Sequence, residues 1–201
     1  CRMPTPNPAL VSAAFPFGVA SGDLTPDSVV LWTKVADPGA EVAWWCEPVG
    51  GAGSGGTRHS GTAAADPTTG SVHVLVEGIG GQAQYRYGFT AAAVASPEGR
   101  FRTLPTDRPA RFAVVCCAKF NSGFFNAYRA LAELDDIDFV LHLGDYIYEA
   151  AEVPVGKQTP GANIGRPMDP LGTCVSYADY DTRYRQYRGD QDLLLLHSRH
   201  A

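Results

Sequence analysis

The run formed by residues 139–143 is almost entirely apolar and ends at Gly144-Asp145, with Tyr148 three residues further on. A short apolar run of this kind is typical of a strand that is buried on both faces of a parallel sheet. Gly144 permits a sharp turn at the carboxyl end of the strand, which is the edge where open α/β sheets bind ligands. An aspartate oxygen and a phenolate are hard donors that suit a strongly Lewis-acidic metal. The pattern predicts a metal-binding turn; the alternative is an ordinary turn with a solvated Asp145.

A second predicted strand, residues 111–115, ends at Cys116-Cys117, and residues 125–134 follow with apolar side chains at helical spacing. A strand, a helix and a strand with short connections form a βαβ unit, whose two strands are parallel. Because parallel strands end at the same edge of a sheet, we expect Cys117 to lie near Asp145. Neighbouring residues of an extended chain point to opposite sides, so only one of the two thiols is expected to face this edge. The alternative for Cys117 is an ordinary buried thiol.

Several motifs of the chain resemble known phosphatases. The turn GDYIY at residues 144–148 is similar to the metal-binding turn of the binuclear metallophosphoesterases, and the fuller string HLGDYIYE at residues 142–149 resembles PhoD-type alkaline phosphatases. Three further segments resemble the same family, namely residues 17–33, residues 111–128 and residues 180–200. The family usually has Ser-Cys where this chain has Cys116-Cys117. The resemblance extends over residues 15–200 with the motifs in the family's order.

The resemblance implies a metal-dependent phosphoric ester hydrolase, in which a metal-bound hydroxide or oxide attacks the substrate instead of a side chain. It implies Fe³⁺ and Ca²⁺ as the metals, with Cys117 and Tyr148 holding the iron. Asp145 is the implied bridge between the metals and the candidate catalytic residue. The implied substrates are phosphate monoesters, diesters or both, and the family is typically exported.

Family members carry further metal ligands in a later Trp-Asp-Asp-His-Glu-like strand end and in strands beyond it, and the sequence up to Ala201 contains none of these. The resemblance therefore leads us to expect the front portion of a longer enzyme. Two rival interpretations stay open. One is a non-catalytic β-sandwich module for adhesion or carbohydrate binding, and the other is an inactive phosphatase fragment.

The first half of the chain has a different pattern, with short β-rich runs separated by clusters of Gly, Pro, Asp and Ser. This pattern predicts a small sandwich of the immunoglobulin or fibronectin type. The predicted strands are residues 29–33, 41–46, 72–76, 85–89 and 99–103. A proline-rich junction, residues 104–109, precedes the βαβ unit. We therefore expect an α+β chain in two parts: a β-sandwich at residues 1–104 and the first, incomplete part of an α/β metallophosphoesterase domain at residues 105–201.

Charge and cysteine content limit the remaining possibilities. The net charge is −5 and neither half is basic, which argues against a nucleic-acid surface. No apolar run reaches the roughly 18 residues that a membrane span needs. The five cysteines form no CxxC pair, so a structural zinc site is not expected, while a disulfide between Cys46 and Cys174 stays open. Cys1 is compatible with the start of a mature lipoprotein or with an accident of cleavage or cloning. The sequence does not indicate an oligomeric state.

The region after the metal-binding turn is predicted to begin with a long loop, residues 150–175, placed as a lid over the metal edge. A capping box at Ser176-x-x-Asp179 is expected to start a helix. Four tyrosines at helical spacing, Tyr177, Tyr180, Tyr184 and Tyr187, are interpreted as a core stripe. Three arginines, Arg183, Arg185 and Arg188, could bind phosphate, but Asp179 and Asp181 lie at helical pairing distance and favour a solvated face.

The histidines and a glycine cluster are the last features of the sequence that could bind a metal or a phosphate. The five histidines are assigned no metal, and His142 is interpreted as a core residue with satisfied hydrogen bonds. The glycine cluster at residues 50–56 is interpreted as a loop, since it lacks the Lys-Ser/Thr of a phosphate-binding loop.

Overall fold

The computed structural model describes residues 10–49, 57–81, 83–151 and 164–201. Within these residues the chain forms a mostly-sheet α+β fold with ten strands and three helices. The strands are β1 (Val19–Gly22), β2 (Ser28–Lys34), β3 (Glu41–Pro48), β4 (His59–Ala64), β5 (Ser71–Glu77), β6 (Gln84–Ala91), β7 (Val94–Ala95), β8 (Gly99–Arg102), β9 (Phe112–Val115) and β10 (Phe139–His142). The helices are α1 (Asn126–Ala132), α2 (Tyr177–Arg188) and α3 (Gln191–Arg199).

The first eight strands form two antiparallel sheets. One sheet has the order β1-β2-β5, and in the other β4, β3 and β6 are neighbours while β7 and β8 both pair with β6. All five strands predicted from the first half of the sequence are present, as β2, β3, β5, β6 and β8. The sequence pattern missed β1, β4 and β7. Strand β4 has the sequence HSGTAA and is mostly exposed. It therefore lacks the large apolar residues by which a strand can be recognised in a sequence.

One apolar cluster draws side chains from both of these sheets. Leu31 of β2 and Val74 of β5 are register partners in the first sheet, and Val42 of β3 comes from the second. Strand β5 alternates between buried and exposed residues, as expected for a strand with one face on a core. Tyr85 and Phe101 stack with their ring centroids 5.3 Å apart. These apolar contacts give the first region, residues up to 104, a core made almost entirely by its own side chains.

Strands β9 and β10 pair in parallel, with Phe112 opposite Phe139, and α1 connects them. The prediction that both strands are buried on both faces is wrong for the described residues, since Phe112, Val114 and Leu141 are 49%, 53% and 43% exposed. The described helices cover one face only, where Val115 and Val140 pack against the second apolar cluster. Helix α1 is also shorter than predicted.

Helix α2 begins with the predicted capping box. The Ser176 hydroxyl accepts a hydrogen bond from the Asp179 amide at 3.2 Å, and the Ser176 amide donates to the Asp179 carboxylate at 2.9 Å. The predicted tyrosine core stripe is wrong for most of its length, because only Tyr187 is buried while Tyr177 and Tyr180 are exposed.

The buried face of α2 carries arginines as well as Tyr187, so the predicted solvated arginine face is wrong for Arg183 and Arg188. Arg183 donates to the carbonyl of Asp169 and Arg188 donates to the carbonyl of Phe17, and such hydrogen bonds lower the free-energy cost of burying each charge. Arg185 does lie at the surface, in an ion pair with Asp181 at 2.5 Å.

Polar contacts connect the first region to the second region, residues 112–201. Arg188 donates to the carbonyl of Phe17 at 2.7 Å, and its guanidinium lies over the Trp32 ring at 5.0 Å from the centroid. Lys34 forms an ion pair with Asp181 at 3.0 Å. The two regions are therefore joined by specific hydrogen bonds and charges as well as by chain connectivity.

The remaining sequence predictions concern a disulfide, membrane spans and three segments of the chain. Cys46 and Cys174 are both buried and both free, so the disulfide that the sequence left open is not formed. No helix in the described ranges is long and apolar enough to cross a membrane. Cys1, the glycine cluster at 50–56 and most of the proposed lid, residues 152–163, lie outside the described residues.

Candidate metal centre

The backbone brings the ends of β9 and β10 together. The amide of Cys117 donates to the carbonyl of Gly144 at 3.2 Å, and the amide of Ala118 donates to the carbonyl of Asp145 at 2.9 Å. Cys117 and Asp145 both have positive φ angles, of 60° and 53°, and Gly144 between the strand and Asp145 has φ 123°. Residues other than glycine adopt this conformation at a cost of about 1–2 kcal/mol, and such residues concentrate at functional sites.

All three residues predicted from the sequence meet at one carboxylate oxygen. Asp145 Oδ2 lies 3.5 Å from the Cys117 sulfur and 3.2 Å from the Tyr148 hydroxyl, both of which donate to it. Cys117 and Asp145 are exposed and Tyr148 is half-buried, so the group is open to solvent on one side. The Lys119 ammonium lies 5.9 Å from the centre of the Tyr148 ring. A thiol, a carboxylate and a phenol thus converge within hydrogen-bonding distance of each other.

The contacts at this site disfavour ionisation of the Tyr148 phenol. A hydrogen bond to Cys117, followed by burial and the neighbouring Asp145, raises the pKa of the Tyr148 phenol. A hydrogen bond to Cys117 also raises the pKa of the Cys116 thiol. Strand β9 ends at Val115 and Cys117 has a positive φ angle, so the two cysteines lie beyond the extended strand. That only one of the two thiols faces the metal edge stays a prediction.

His142 supports the turn from behind. Its Nδ1 atom accepts a hydrogen bond from the Gly144 amide at 3.2 Å, which leaves the ring proton on Nε2, 3.1 Å from the hydroxyl of Tyr128. Burial lowers the pKa of His142, so the neutral ring is favoured. Both ring nitrogens of His142 have hydrogen-bond partners, as predicted, but the prediction of a core residue is wrong because the side chain is only half-buried. The sequence analysis missed Tyr128 as its partner, although the helical spacing had placed Tyr128 on the buried face of α1.

A second histidine and tyrosine pair lies deeper. The hydroxyl of Tyr146 and Nε2 of His197 are 2.8 Å apart, and burial holds the pKa of His197 well below its usual range. The ring of Tyr146 packs against His142, with centroids 5.3 Å apart. These residues connect α3 to the turn, and nothing in the spacing of the sequence indicated that connection.

An open concavity of about 360 Å³ adjoins Cys117 at the start of α1. Polar groups from Lys119 and Ser122 line it together with the ring of Phe124. Its size lies near the lower end of the range for small-molecule sites. The concavity places space for a ligand directly beside the thiol.

The donor set fits a metal cation, because a thiol and a phenol both donate hydrogen bonds to the same carboxylate oxygen and a cation could replace their protons. A thiolate and a phenolate suit a strongly Lewis-acidic ion, and a carboxylate can bridge to a second one. In the described ranges no group of three or more His, Cys, Asp and Glu side chains has metal-binding geometry. The phenol of Tyr148 is therefore essential to any three-donor set here.

Two sequence profiles of known protein families match the chain. The sequence profile described as "PhoD-like phosphatase, N-terminal domain" matches residues 2–105, and the profile described as "PhoD-like phosphatase" matches residues 112–201. The chain belongs to the PhoD-like phosphatase family. The family resemblance seen in the sequence motifs is thereby confirmed.

Two known members of the PhoD-like phosphatase family show how much of the molecule is shared. Alkaline phosphatase D of Bacillus subtilis (strain 168) is 33% identical over 204 residues, which cover 95% of this chain and 34% of that protein. A solved structure of PhoD is 31% identical with a TM-score of 0.81, covering 94% of this chain and 38% of that chain. The chain thus spans little more than a third of the length of these relatives.

Proposed function

We propose that the protein hydrolyses phosphate esters at a metal centre to which this chain contributes Cys117, Asp145 and Tyr148. The observation that carries the proposal is the convergence of a thiol and a phenol on one oxygen of Asp145, in a member of the PhoD-like phosphatase family. In this proposal Cys117 and Tyr148 would hold Fe³⁺, and Asp145 would be shared with Ca²⁺, which prefers oxygen ligands. When bound, such metals polarise phosphoryl oxygens and lower the pKa of a coordinated water molecule to about 7.

The residues around the donors have separate tasks in this proposal. His142 holds the Gly144 amide and so fixes the direction in which Asp145 leaves β10. Lys119 and Ser122 line the concavity beside Cys117, where their ammonium and hydroxyl groups can bind the oxygens of a phosphoryl group. The substrate is accordingly a phosphate monoester or diester. No side chain of this chain acts as the nucleophile.

The domain organisation belongs to the same proposal. We assign residues 1–104 to an immunoglobulin- or fibronectin-like β-sandwich and residues 105–201 to the first βαβ part of a metallophosphoesterase domain. The change from antiparallel sheets to a parallel strand pair supports a boundary within residues 104–109. We further propose that the protein is exported, as the family resemblance implies.

Metal analysis of paired cysteine variants tests the site in the full-length protein. Cys117→Ser should lose most of the bound iron, because a hydroxyl is rarely deprotonated where a thiol is. Cys116→Ser is the matched control and should keep it. Retention of iron by Cys117→Ser together with its loss from Cys116→Ser would mean that the adjacent thiol is the ligand.

Spectroscopy gives an independent test of the third donor. Iron-loaded protein should show an absorption band from phenolate-to-iron charge transfer, and Tyr148→Phe should remove it while leaving the fold unchanged. Tyr146→Phe, two residues away in the same turn, should keep the band. A band that survives in Tyr148→Phe would exclude this phenol as a ligand.

The rival interpretations are separated by turnover measurements. The 201-residue chain supplies three proposed donors from its described residues, and a binuclear centre needs more than three. We expect this chain to hydrolyse a chromogenic phosphate ester at a small fraction of the full-length rate, even with iron and calcium added. Robust turnover by the short chain would show that fewer ligands suffice, and a full-length protein without metal or turnover would favour a binding module.

A further inference from the structure

Arg183 of α2 is a fully buried cation, with 0% of its surface exposed. Transfer of a charged group away from water is costly unless its donors are all satisfied. The acceptors recorded for Arg183 within the described ranges are backbone carbonyls, with no carboxylate among them. Arg183 is therefore held by hydrogen bonds to backbone carbonyls and not by an ion pair.

The five N–H groups of the guanidinium match five carbonyl oxygens. Nε of Arg183 donates to the carbonyl of Asp169 at 3.0 Å, and each terminal nitrogen donates to two further carbonyls. The acceptors lie in two separate segments: Tyr148 and Ala150 in one, and Asp169, Pro170 and Gly172 in the other. Only arginine offers five donors in a planar fork, so no other side chain could satisfy this set.

The same two segments also bond to each other directly. The amide of Cys174 donates to the carbonyl of Glu149 at 2.8 Å, and the amide of Ala151 donates to the hydroxyl of Thr173 at 3.2 Å. We call these paired segments, residues 148–151 and 169–174, the neck. Arg183 therefore fastens a structure that already has its own hydrogen bonds.

Tyr148 lies at the start of the neck, and both its backbone carbonyl and its side-chain hydroxyl are hydrogen-bonded. Its carbonyl accepts a hydrogen bond from Arg183, and its hydroxyl donates to Asp145 Oδ2 at 3.2 Å. Its ring packs against the apolar cluster that contains Tyr187, one helical turn after Arg183. A shift of the Tyr148 backbone would carry the phenol away from the shared carboxylate.

We infer that Arg183 is a positioning residue for the metal centre, holding the Tyr148 backbone so that the phenol faces Asp145 and Cys117. The inference rests on the proposed function, in which Tyr148 is an iron ligand. It assigns to a buried residue outside the ligand set the task of maintaining ligand geometry. Residues that orient metal ligands from outside typically contribute about 10–100-fold in metal affinity.

The test compares Arg183→Lys with Arg185→Lys in the full-length protein. Both changes keep the charge, but lysine has three donors and no fork, and Arg185 is an exposed residue of the same helix. Arg183→Lys should lower iron affinity about 10–100-fold and shift or weaken the phenolate-to-iron band. Arg185→Lys should leave both unchanged. Wild-type affinity and an unshifted band in Arg183→Lys would overturn the inference.

A metal-free measurement separates this inference from the proposed function. In the apo protein, Arg183→Lys should speed hydrogen exchange of the Cys174 amide at least about tenfold, because the neck loosens. The amide of Val74 in β5 should be unaffected. Unchanged exchange at Cys174 would overturn the inference whatever the metal does, whereas absence of iron from the wild-type protein would overturn the proposed function.

A last measurement uses the wild-type protein, so it applies even if Arg183→Lys fails to fold. The guanidinium hydrogens of Arg183, observed by NMR, should exchange as slowly as the Cys174 amide hydrogen if the five carbonyl contacts persist in solution. Rapid exchange of those guanidinium hydrogens would overturn the inference without any substitution.

Discussion

The two regions of the molecule are stabilised in different ways. In the first region two antiparallel sheets enclose one apolar cluster, and residues such as Val29 and Leu31 have no exposed surface. In the second region the strand pair leaves Phe112, Val114 and Leu141 exposed, and buried arginines hold loops through their carbonyls. The region with the self-contained core carries none of the candidate ligands, and the candidate site lies where polar contacts fix the backbone.

The largest effect is expected from Asp145→Asn in the full-length protein. The amide cannot supply the negative charge that offsets bound cations, so phosphate ester hydrolysis should fall at least about 1000-fold and metal should be lost. This exceeds the 10–100-fold that outer partners contribute. Unfolding of the first region, followed by tryptophan fluorescence, should not change, because Trp32, Trp44 and Trp45 all lie there. A joint loss of activity and first-region stability would mean that the two regions are not stabilised independently.

A pair of leucine substitutions in the 201-residue chain tests the difference between the cores. Leu31→Ala removes a side chain with 0% exposure and should lower the free energy of unfolding of the first region by about 2–5 kcal/mol. Leu141→Ala, at a position that is 43% exposed, should cost less than about 1 kcal/mol. Urea unfolding, measured by tryptophan fluorescence and by helical circular dichroism, reports the two regions separately. Equal costs would mean that the exposed face of the strand pair is covered in solution.

A buried carboxylate just before β10 binds an arginine of the junction and gives a pH-dependent prediction. Asp138 is 1% exposed and accepts two hydrogen bonds from Arg108, at 2.6 and 2.9 Å, and one from the Arg111 amide at 2.8 Å. The Arg108 hydrogen bond, with the other contacts, lowers the pKa of Asp138. A lowered folded-state pKa contributes stability above the unfolded value of about 3.9, and this is lost as the pH falls through the folded value.

The corresponding variant is Asp138→Asn. At pH 7 it should lower the free energy of unfolding of the second region by about 1–3 kcal/mol, because charged hydrogen bonds are replaced by weaker ones. The difference from the wild type should shrink as the pH falls below about 4. Urea unfolding at several pH values measures this, and a difference that stays constant down to strongly acidic pH would rule out the carboxylate as its source.

The smallest effect is expected at the surface of α2. Arg185→Gln removes an exposed ion pair with Asp181 four residues earlier and should cost about 0.3–0.5 kcal/mol. The cost should disappear at high salt, which screens exposed charges. A cost above about 2 kcal/mol would show that Arg185 shares the structural task of Arg183.

Much of this organisation could be predicted from the sequence because it depends on local patterns. The short β-rich run at residues 72–76 identified β5, and the apolar runs before Cys117 and Asp145 identified the parallel strand pair. The three candidate ligands were predicted from their positions after those runs, and the structure brings them together. Whether they bind metal stays a prediction.

The arginines of α2 show what a sequence pattern could not reveal. By spacing alone, Arg183 and Arg185 are equivalent charged residues, yet one is buried and the other exposed. The difference arises because the carbonyls that Arg183 binds come from loops at residues 148–150 and 169–172, whose approach depends on tertiary structure. The prediction of a buried tyrosine stripe is wrong for the same reason. The buried face of α2 carries Arg183 and Arg188 beside Tyr187, while Tyr177 and Tyr180 are exposed.

The separation of Arg183 from Tyr148 has a consequence for the order of events during synthesis. Arg183 follows Tyr148 by 35 residues, and the second segment of the neck also comes after it. A chain that emerges with its amino terminus first therefore presents Tyr148 before the side chain that hydrogen-bonds its carbonyl has been synthesised. If Tyr148 binds metal as proposed, tight binding requires α2 to have formed first.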